Sequence, residues 1–244
     1  MKLFSVIILS ILFNEEIQAQ VLNAEKYIWQ SETTKTSASI EIFDNDYKKS
    51  KGYIYFISTV DTAYNSYADS LFTYILNSSA NKSTIIKISF YPTLDSSKMS
   101  VLSEELMKFI IPDLTKKFSL FTKANAVLVG INDYGLVALH TATYYSDKIN
   151  KTAVFFNNYL PDEFLCNQIC LTASLIKGKL FMYVNGNDEI KVLTDKFAEK
   201  LALNSSILLY KYDEENADTS ISIFTEAYNW LVADGNNYII TTED

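Results

Sequence analysis

The sequence predicts an α/β fold: a mostly parallel, doubly wound sheet in a single domain. Apolar runs of strand length alternate with helical patterns along the chain, and this alternation favours a parallel sheet covered by helices on both faces. Several runs are continuously apolar, which is typical of strands buried on both faces. No linker, internal repeat or low-complexity tract divides the 244 residues, so one domain accounts for the whole chain.

The predicted elements follow from periodicity. Residues 36–43 alternate as a half-exposed strand should, whereas 53–58 are continuously apolar. The predicted strands are 36–43, 53–58, 84–90, 126–129, 152–156, 180–184 and 206–210. The predicted helices are 65–77, 98–118, 135–145, 190–203 and 220–232. Pro112 falls inside the longest helix and should bend or interrupt it, because proline lacks the N–H and its ring clashes with the preceding turn.

The first residues predict export. Lys2 precedes an apolar run over 3–13, which is too short to span a bilayer as a helix, and Ala19 supplies the small residue before a cleavage site. We therefore expect a signal peptide at 1–19 and a folded domain at 20–244, periplasmic or secreted, with no membrane span after cleavage. An uncleaved N-terminal anchor is the alternative.

Composition excludes several kinds of partner. The formal charge is −8 and no basic stripe is visible, so nucleic acids and anionic membrane surfaces are not expected partners. With 6 glycines, a glycine-rich phosphate loop is unfavourable, and we expect no cofactor.

The cysteine content is equally limiting. Cys166 and Cys170, the only cysteines, are spaced to share one helix face. They could form a disulfide or remain two buried thiols. With His140 as the sole histidine, a four-ligand zinc site would need carboxylates as well, and we expect no metal site.

One strand end carries an unusual turn. The apolar run 126–129 leads directly into Gly130, Asn132, Asp133, Tyr134 and Gly135, after which a helical pattern begins. In a doubly wound sheet, ligands bind at the carboxyl ends of the strands. A sharp strand-to-helix turn also requires small residues flanking its apex. Gly130 satisfies that requirement on one side, whereas bulky Tyr134 stands on the other.

This turn resembles the Gly-x-Ser-x-Gly nucleophile elbow of the α/β-hydrolases. In that comparison Asn132 stands in the position of the nucleophilic serine, and Gly135 matches a further glycine common in these esterases. Segments 104–114, 53–61 and 85–92 resemble the long helix and two strands that precede the elbow, although the Leu-Asp-Gly ending of the first strand is incomplete. The ordered set, over roughly residues 36–233, resembles the esterase D and siderophore-esterase-like family.

The resemblance implies a catalytic triad in which two members are missing. Asp188 matches the acid, whereas Asn132 and Ala217 stand where the family has serine and histidine. A serine hydrolase needs a hydroxyl, an imidazole and a carboxylate, so the comparison implies a degenerate, catalytically inactive member. His140 lies eight residues beyond Asn132, roughly 12 Å along a helix axis, and cannot easily replace the base. We therefore expect a binding or accessory role, with a small-molecule or protein ligand at the former active site.

Two alternatives remain. The first is an unconventional hydrolase acting on an ester such as a siderophore or an acylated saccharide, with Asp133 as a nucleophile. The second is a structural subunit of an exported complex that binds no ligand.

The signal-peptide prediction is tested by the intact mass of the exported protein. We expect a mature chain that begins at Gln20, because signal peptidase cuts after a small residue that follows a short apolar segment. An exported chain that retains residues 1–19 would contradict the prediction.

Overall fold

The computed structural model describes residues 24–31, 36–43, 52–59, 66–77, 83–91, 98–118, 126–159, 163–204, 208–214 and 217–233. The predicted signal segment, 1–19, lies outside these ranges. Within them, no helix is both long enough and apolar enough to cross a membrane.

A single eight-stranded sheet organises the chain, with strand order β1-β2-β4-β3-β5-β6-β7-β8. β2 runs antiparallel to its neighbours β1 and β4, and every other pair is parallel. The strands are β1 (Ala24–Gln30), β2 (Ser37–Phe43), β3 (Tyr53–Thr59), β4 (Thr84–Tyr91), β5 (Ala126–Ile131), β6 (Lys151–Asn157), β7 (Lys179–Gly186) and β8 (Leu208–Glu214).

Helices cover both faces of the sheet, as the parallel arrangement requires. They are α1 (Ser66–Asn77), α2 (Met99–Glu105), α3 (Ile111–Phe118), α4 (Asp133–Tyr144), α5 (Glu163–Thr172), α6 (Asp188–Asn204) and α7 (Ala217–Val232). A π-helical turn (Leu106–Ile110) joins α2 to α3, and a short 3₁₀ turn (Ala173–Leu175) follows α5.

Two apolar cores flank the sheet. Helices α2 to α6 pack on one face, and α1 and α7 pack on the other. Alternate residues of a central strand enter opposite cores, so that Tyr55 and Phe56 of β3 are both fully buried on different sides. This burial explains why the central strands read as continuous apolar runs. The predicted single-domain α/β fold with a mostly parallel sheet is confirmed.

Two elements were absent from the sequence-based prediction. Of β1, only Trp29 among the described side chains is buried, because β1 is an edge strand and lacks a regular apolar pattern. Helix α5 leaves Phe164 and Leu171 exposed, which blurs its amphipathic period.

Strands β7 and β8 both extend beyond their predicted carboxyl ends. Both strands run further than their apolar segments. Asn185 and Gly186 belong to β7 rather than to a turn, and Asp213 and Glu214 belong to β8. The parallel pairing continues through Asn185–Asp213 and Gly186–Glu214, so backbone hydrogen bonding extends the strands past the point where apolar residues end.

The predicted interruption at Pro112 takes the form of the π-helical turn. That turn ends at Ile110, and α3 begins at Ile111. Proline at position 112 cannot donate to the preceding turn and its ring crowds the carbonyl of residue 108. A wider turn relieves this crowding, and the helix continues.

Candidate active site

The candidate site is built on the turn between β5 and α4. Asn132 is the residue between these two elements, and it has φ 51° and ψ −120°. Among the described residues, only Asn132 and Asn158 are non-glycine residues with positive φ. Such a conformation costs about 1–3 kcal/mol and persists only where the surrounding structure enforces it.

Close packing around two glycines enforces this turn. A Cβ atom at Gly130 would collide with the carbonyl oxygen of Tyr134 and would lie 2.8 Å from Cβ of Ala138. A Cβ atom at Gly135 would lie 2.9 Å from Cε1 of Phe156. Glycine at 130 therefore allows the first turn of α4 to fold back against the end of β5, and glycine at 135 lets the helix lie against β6.

Hydrogen bonds fix the backbone of Asn132 on both sides. Its N–H donates to the carbonyl oxygen of Phe155 at 2.9 Å. Its carbonyl oxygen accepts from the N–H groups of Gly135 at 2.8 Å and Leu136 at 3.4 Å. The turn is thus hydrogen-bonded to both β6 and α4, and these bonds define the position of residue 132.

The Asn132 side chain binds the end of the neighbouring strand. Asparagine at a helix N-cap usually accepts from the helix's own first turn, but the Asn132 side chain makes no such bond. Its Oδ1 instead accepts from the N–H of Asn157, at 2.9 Å. The amide carbonyl at the turn is therefore held by a backbone donor.

The two residues after Asn132 are also held. Tyr159 donates its hydroxyl to Oδ1 of Asp133 at 2.5 Å. Tyr134 is buried and stacks on Phe90, with the ring centroids 5.7 Å apart. Burial raises the pKa of the Tyr134 hydroxyl, so that it stays protonated and neutral at physiological pH. Tyr134, at the position where the sequence comparison expected a small residue, is accommodated because its ring turns into the core.

A polar group lies at the same edge of the sheet, on β7 and β8. The hydroxyl of Tyr183 donates to Oδ2 of Asp213 at 3.3 Å. Asn185 is 2% exposed, and its Oδ1 accepts no hydrogen bond. The carbonyl of Asn185 accepts from the N–H of Asn158, and Asn185 is the register partner of Asn157. Three asparagines, Asn132, Asn157 and Asn185, therefore lie at the carboxyl ends of the neighbouring strands β5, β6 and β7.

The sequence-based prediction did not assign a role to Asn157, Tyr159 or Asn185. Asn157 and Asn185 each follow a continuous apolar run directly, which was the available signal. A polar residue at that position marks the carboxyl end of a buried strand, and ligand sites form at these ends in parallel sheets.

The predicted triad positions lie at the carboxyl ends of three parallel strands. Asn132 follows β5, Asp188 follows β7 as the first residue of α6, and Ala217 follows β8 as the first residue of α7. Asp188 is exposed. Its neighbour Asn187 caps the helix by accepting from the N–H of Ile190 at 3.1 Å.

The other predicted residues lie away from this edge. His140 is on α4 and packs against Tyr144, with ring centroids 4.4 Å apart. Burial lowers the pKa of the His140 imidazole to about 4. Cys166 and Cys170 do not form a disulfide with each other; both are buried thiols on α5, and burial raises the pKa of Cys170. In the described part of the chain, no three His, Cys, Asp or Glu residues form a metal-binding group.

The sheet order and the turn have the arrangement of the α/β-hydrolase fold, in which a nucleophile elbow connects a central strand to a helix. No protein-family model matches the sequence, and no curated protein sequence matches it either. Solved structures do match, at low sequence identity, and the likeness is therefore one of fold.

The matching structures include esterases. FphF of Staphylococcus aureus, a fluorophosphonate-binding serine hydrolase, has a TM-score of 0.62 and 12% identity, over 86% of this chain and 98% of that one. The feruloyl esterase module from Clostridium thermocellum, complexed with sinapinate, has a TM-score of 0.64 and 10% identity, over 90% and 91%. The enterobactin esterase from Shigella flexneri has 0.62 and 12%, over 88% and 60%. These likenesses confirm the predicted esterase-like α/β-hydrolase fold.

The strain at residue 132 can be measured by two substitutions. Asn132→Ala and Asn132→Gly both remove the hydrogen bond to Asn157, but only glycine adopts positive φ without steric cost. We expect the glycine variant to have a higher free energy of unfolding than the alanine variant by about 1 kcal/mol or more, measured by urea titration. Equal stabilities, or a more stable alanine variant, would show that the turn is not strained.

Proposed function

We propose that this chain is an exported, catalytically inactive protein with an esterase-like fold, which binds a small molecule at the carboxyl edge of its sheet. The observation that carries the proposal is the residue at the turn. An asparagine amide, hydrogen-bonded to Asn157, occupies the conformation in which α/β-hydrolases hold their nucleophile.

The chemistry of an amide supports inactivity. Acyl transfer begins when a hydroxyl or thiol attacks the substrate carbonyl while a base removes its proton. The amide nitrogen of Asn132 has its lone pair delocalised into the carbonyl, and it has no ionised form near neutral pH. It therefore cannot form an acyl intermediate in the way a serine does.

The missing base supports the same proposal. Ala217 has no proton acceptor, although it stands where the resemblance places histidine. His140 is the sole histidine in the sequence, and it packs on Tyr144 along α4. With its pKa lowered to about 4 by burial, the imidazole is a weak base as well as a distant one.

The unpartnered amide oxygen of Asn185 supports ligand binding. A buried acceptor without a hydrogen bond costs about 1–3 kcal/mol, and a ligand hydroxyl or amide N–H would remove that cost. Tyr183 and Asp213, on the same face of the sheet, offer further polar atoms. Because Asn185 is the register partner of Asn157, such a ligand would lie beside the Asn132 turn.

The ligands of two similar structures suggest suitable probes. The feruloyl esterase module was solved with sinapinate, and the enterobactin esterase in the presence of 2,3-dihydroxy-N-benzoyl-serine. Each ligand is a hydroxylated aromatic compound with a carboxylate, and its phenolic hydroxyl is the type of donor that Asn185 would accept. We therefore propose aromatic acyl compounds of this type as the ligand class.

Export is part of the proposal and is supported by the sequence of residues 1–19. A protein that binds such a compound outside the cytoplasm, without cleaving it, would act as an accessory to a system that uses the compound. A hydrolase with an unconventional nucleophile, such as Asp133, is the competing function.

The proposal is tested by restoring the missing groups. The native chain should not hydrolyse p-nitrophenyl acetate or butyrate above a control without enzyme, and it should not react with a fluorophosphonate. The double variant Asn132→Ser, Ala217→His places a hydroxyl and an imidazole at the triad positions, and we expect it to be labelled by the fluorophosphonate. The two single variants should remain unlabelled.

Each contrary result has a distinct meaning. Native hydrolysis that disappears in Asn132→Ala would replace the proposal with an enzymatic function, and loss in Asp133→Asn would identify the unconventional nucleophile. No labelling of a folded double variant would show that residues 132 and 217 do not converge.

The proposed ligand binding is tested by calorimetry. Asn185→Leu should weaken the binding of sinapinate or 2,3-dihydroxy-N-benzoyl-serine. Absence of binding by the native chain would reject this ligand class.

A further inference from the structure

The ψ torsion of Asn132, which leads to the nitrogen of Asp133, has an unusual value. At an L-residue, the torsion from Cβ to the next backbone nitrogen exceeds ψ by about 120°, because of the handedness of Cα. The ψ of Asn132 is −120°, so the nitrogen of Asp133 eclipses Cβ of Asn132. The Cβ atom and this nitrogen thereby lie on the same side of the chain, so that rotation about the Cα–Cβ bond alone brings the side-chain carbonyl carbon, Cγ, towards the nitrogen.

Regular structure keeps these two atoms apart. With ψ near −42° in a helix or near +135° in a strand, the next nitrogen is rotated roughly 80–105° away from Cβ. An asparagine in either conformation must leave it before its Cγ can meet the following nitrogen. Asn132 is already in the required backbone conformation, because the turn enforces it.

The hydrogen bond from Asn157 activates the same carbonyl. Its N–H donates to Oδ1 of Asn132 at 2.9 Å, and this donor would stabilise negative charge on Oδ1 if a nucleophile added to Cγ. A fixed backbone donor of this kind stabilises such an oxyanion without having to reorganise.

The remaining contacts of the turn would not prevent the nitrogen of Asp133 from reaching Cγ of Asn132. Asn132 uses its own N–H and C=O to bind Phe155, Gly135 and Leu136, and none of these bonds uses the nitrogen of Asp133. Asn132 is also half-buried rather than buried, so water can reach it.

We propose that Asn132 is a site of spontaneous, fold-directed cyclisation and deamidation. The backbone nitrogen of Asp133 attacks Cγ of Asn132 and forms a new C–N bond. The bond from Cγ to Nδ2 breaks, and Nδ2 leaves as ammonia with the proton that the Asp133 nitrogen loses. The product is a five-membered imide. Water then opens it at Cγ to give aspartate, or at the backbone carbonyl to give isoaspartate. The net reaction consumes one water and releases one ammonia, with no oxidant or cofactor.

The modification would change the chemistry of the turn. Aspartate at 132 places a second carboxylate next to Asp133, and isoaspartate lengthens the backbone where Gly130 and Tyr134 are in close contact. Cyclisation does not depend on whether the chain binds a ligand or hydrolyses one, so its outcome is separable from the proposed function.

The chain contains a matched internal control. In an unfolded chain Asn185–Gly186 should cyclise faster than Asn132–Asp133, because Gly186 has no side chain to shield its nitrogen. In the folded protein Asn185 is a buried residue of β7 with strand pairing on both sides. Folding should therefore slow the reaction at Asn185 and accelerate it at Asn132.

The experiment compares folded and unfolded full-length protein at the same mildly alkaline pH and temperature, in water enriched in heavy oxygen, with peptide mapping by mass spectrometry over time. We expect conversion of Asn132 to be at least about tenfold faster in the folded protein, since the turn holds the backbone in the conformation that cyclisation requires. We also expect imide or isoaspartate at 132, one heavy oxygen per product, and the opposite order at Asn185. Asn132→Gln, which would have to form a larger ring, should give no product at 132.

Two outcomes would overturn the inference. One is a rate at Asn132 in the folded protein that is equal to or below the rate in guanidinium chloride. The other is conversion to aspartate with neither imide nor isoaspartate present at any time, which would indicate direct hydrolysis of the side chain.

Discussion

The strained turn at Asn132 is the constraint on which the arrangement of this edge of the sheet depends. The chain must leave β5 in the centre of the sheet and begin α4 one residue later, and positive φ at residue 132 makes that reversal. Gly130 and Gly135 allow the close approach of α4 to β5 and β6. The strain, about 1–3 kcal/mol, is offset by backbone hydrogen bonds and by the burial of α4 in the larger core.

The same turn explains why the identity of one side chain determines the chemistry of the site. In this conformation the residue lies at the carboxyl end of β5, where its side chain can reach the end of β6. An asparagine there binds the N–H of Asn157 and ties two strand ends together, whereas a serine would offer a nucleophile. The neighbouring amide of Asn185 extends the polar edge toward β8. This edge of the sheet therefore presents side-chain amides, and in the proposed cyclisation the same geometry exposes Asn132 to attack by its own backbone.

Sequence patterns predicted those features of the fold that depend on one strand, helix or turn alone. The continuous apolar runs of β3 to β7 and the helix after Gly135 follow from local periodicity. Gly130 follows from the sharpness of the turn, whereas Gly135 was indicated only by the family resemblance. Contacts between strands were not accessible in this way. The bond between Asn132 and Asn157 requires β5 and β6 to be neighbours, and the burial of Asn185 requires the register of β7 against β6 and β8. Strand β1 was missed because it is an edge strand in which only one of the described side chains is buried, and such a strand carries no apolar period.

The hydrogen bond between Asn132 and Asn157 can be measured directly by amide hydrogen exchange, resolved by nuclear magnetic resonance. In the native protein the N–H of Asn157 should be protected, because Oδ1 of Asn132 accepts it. In Asn132→Ala that protection should be lost, while the N–H of Asn158, which donates to the carbonyl of Asn185, should keep its protection. Unchanged exchange at Asn157 in the alanine variant would contradict the account, because the amide at the turn would then not be the group that holds the end of β6.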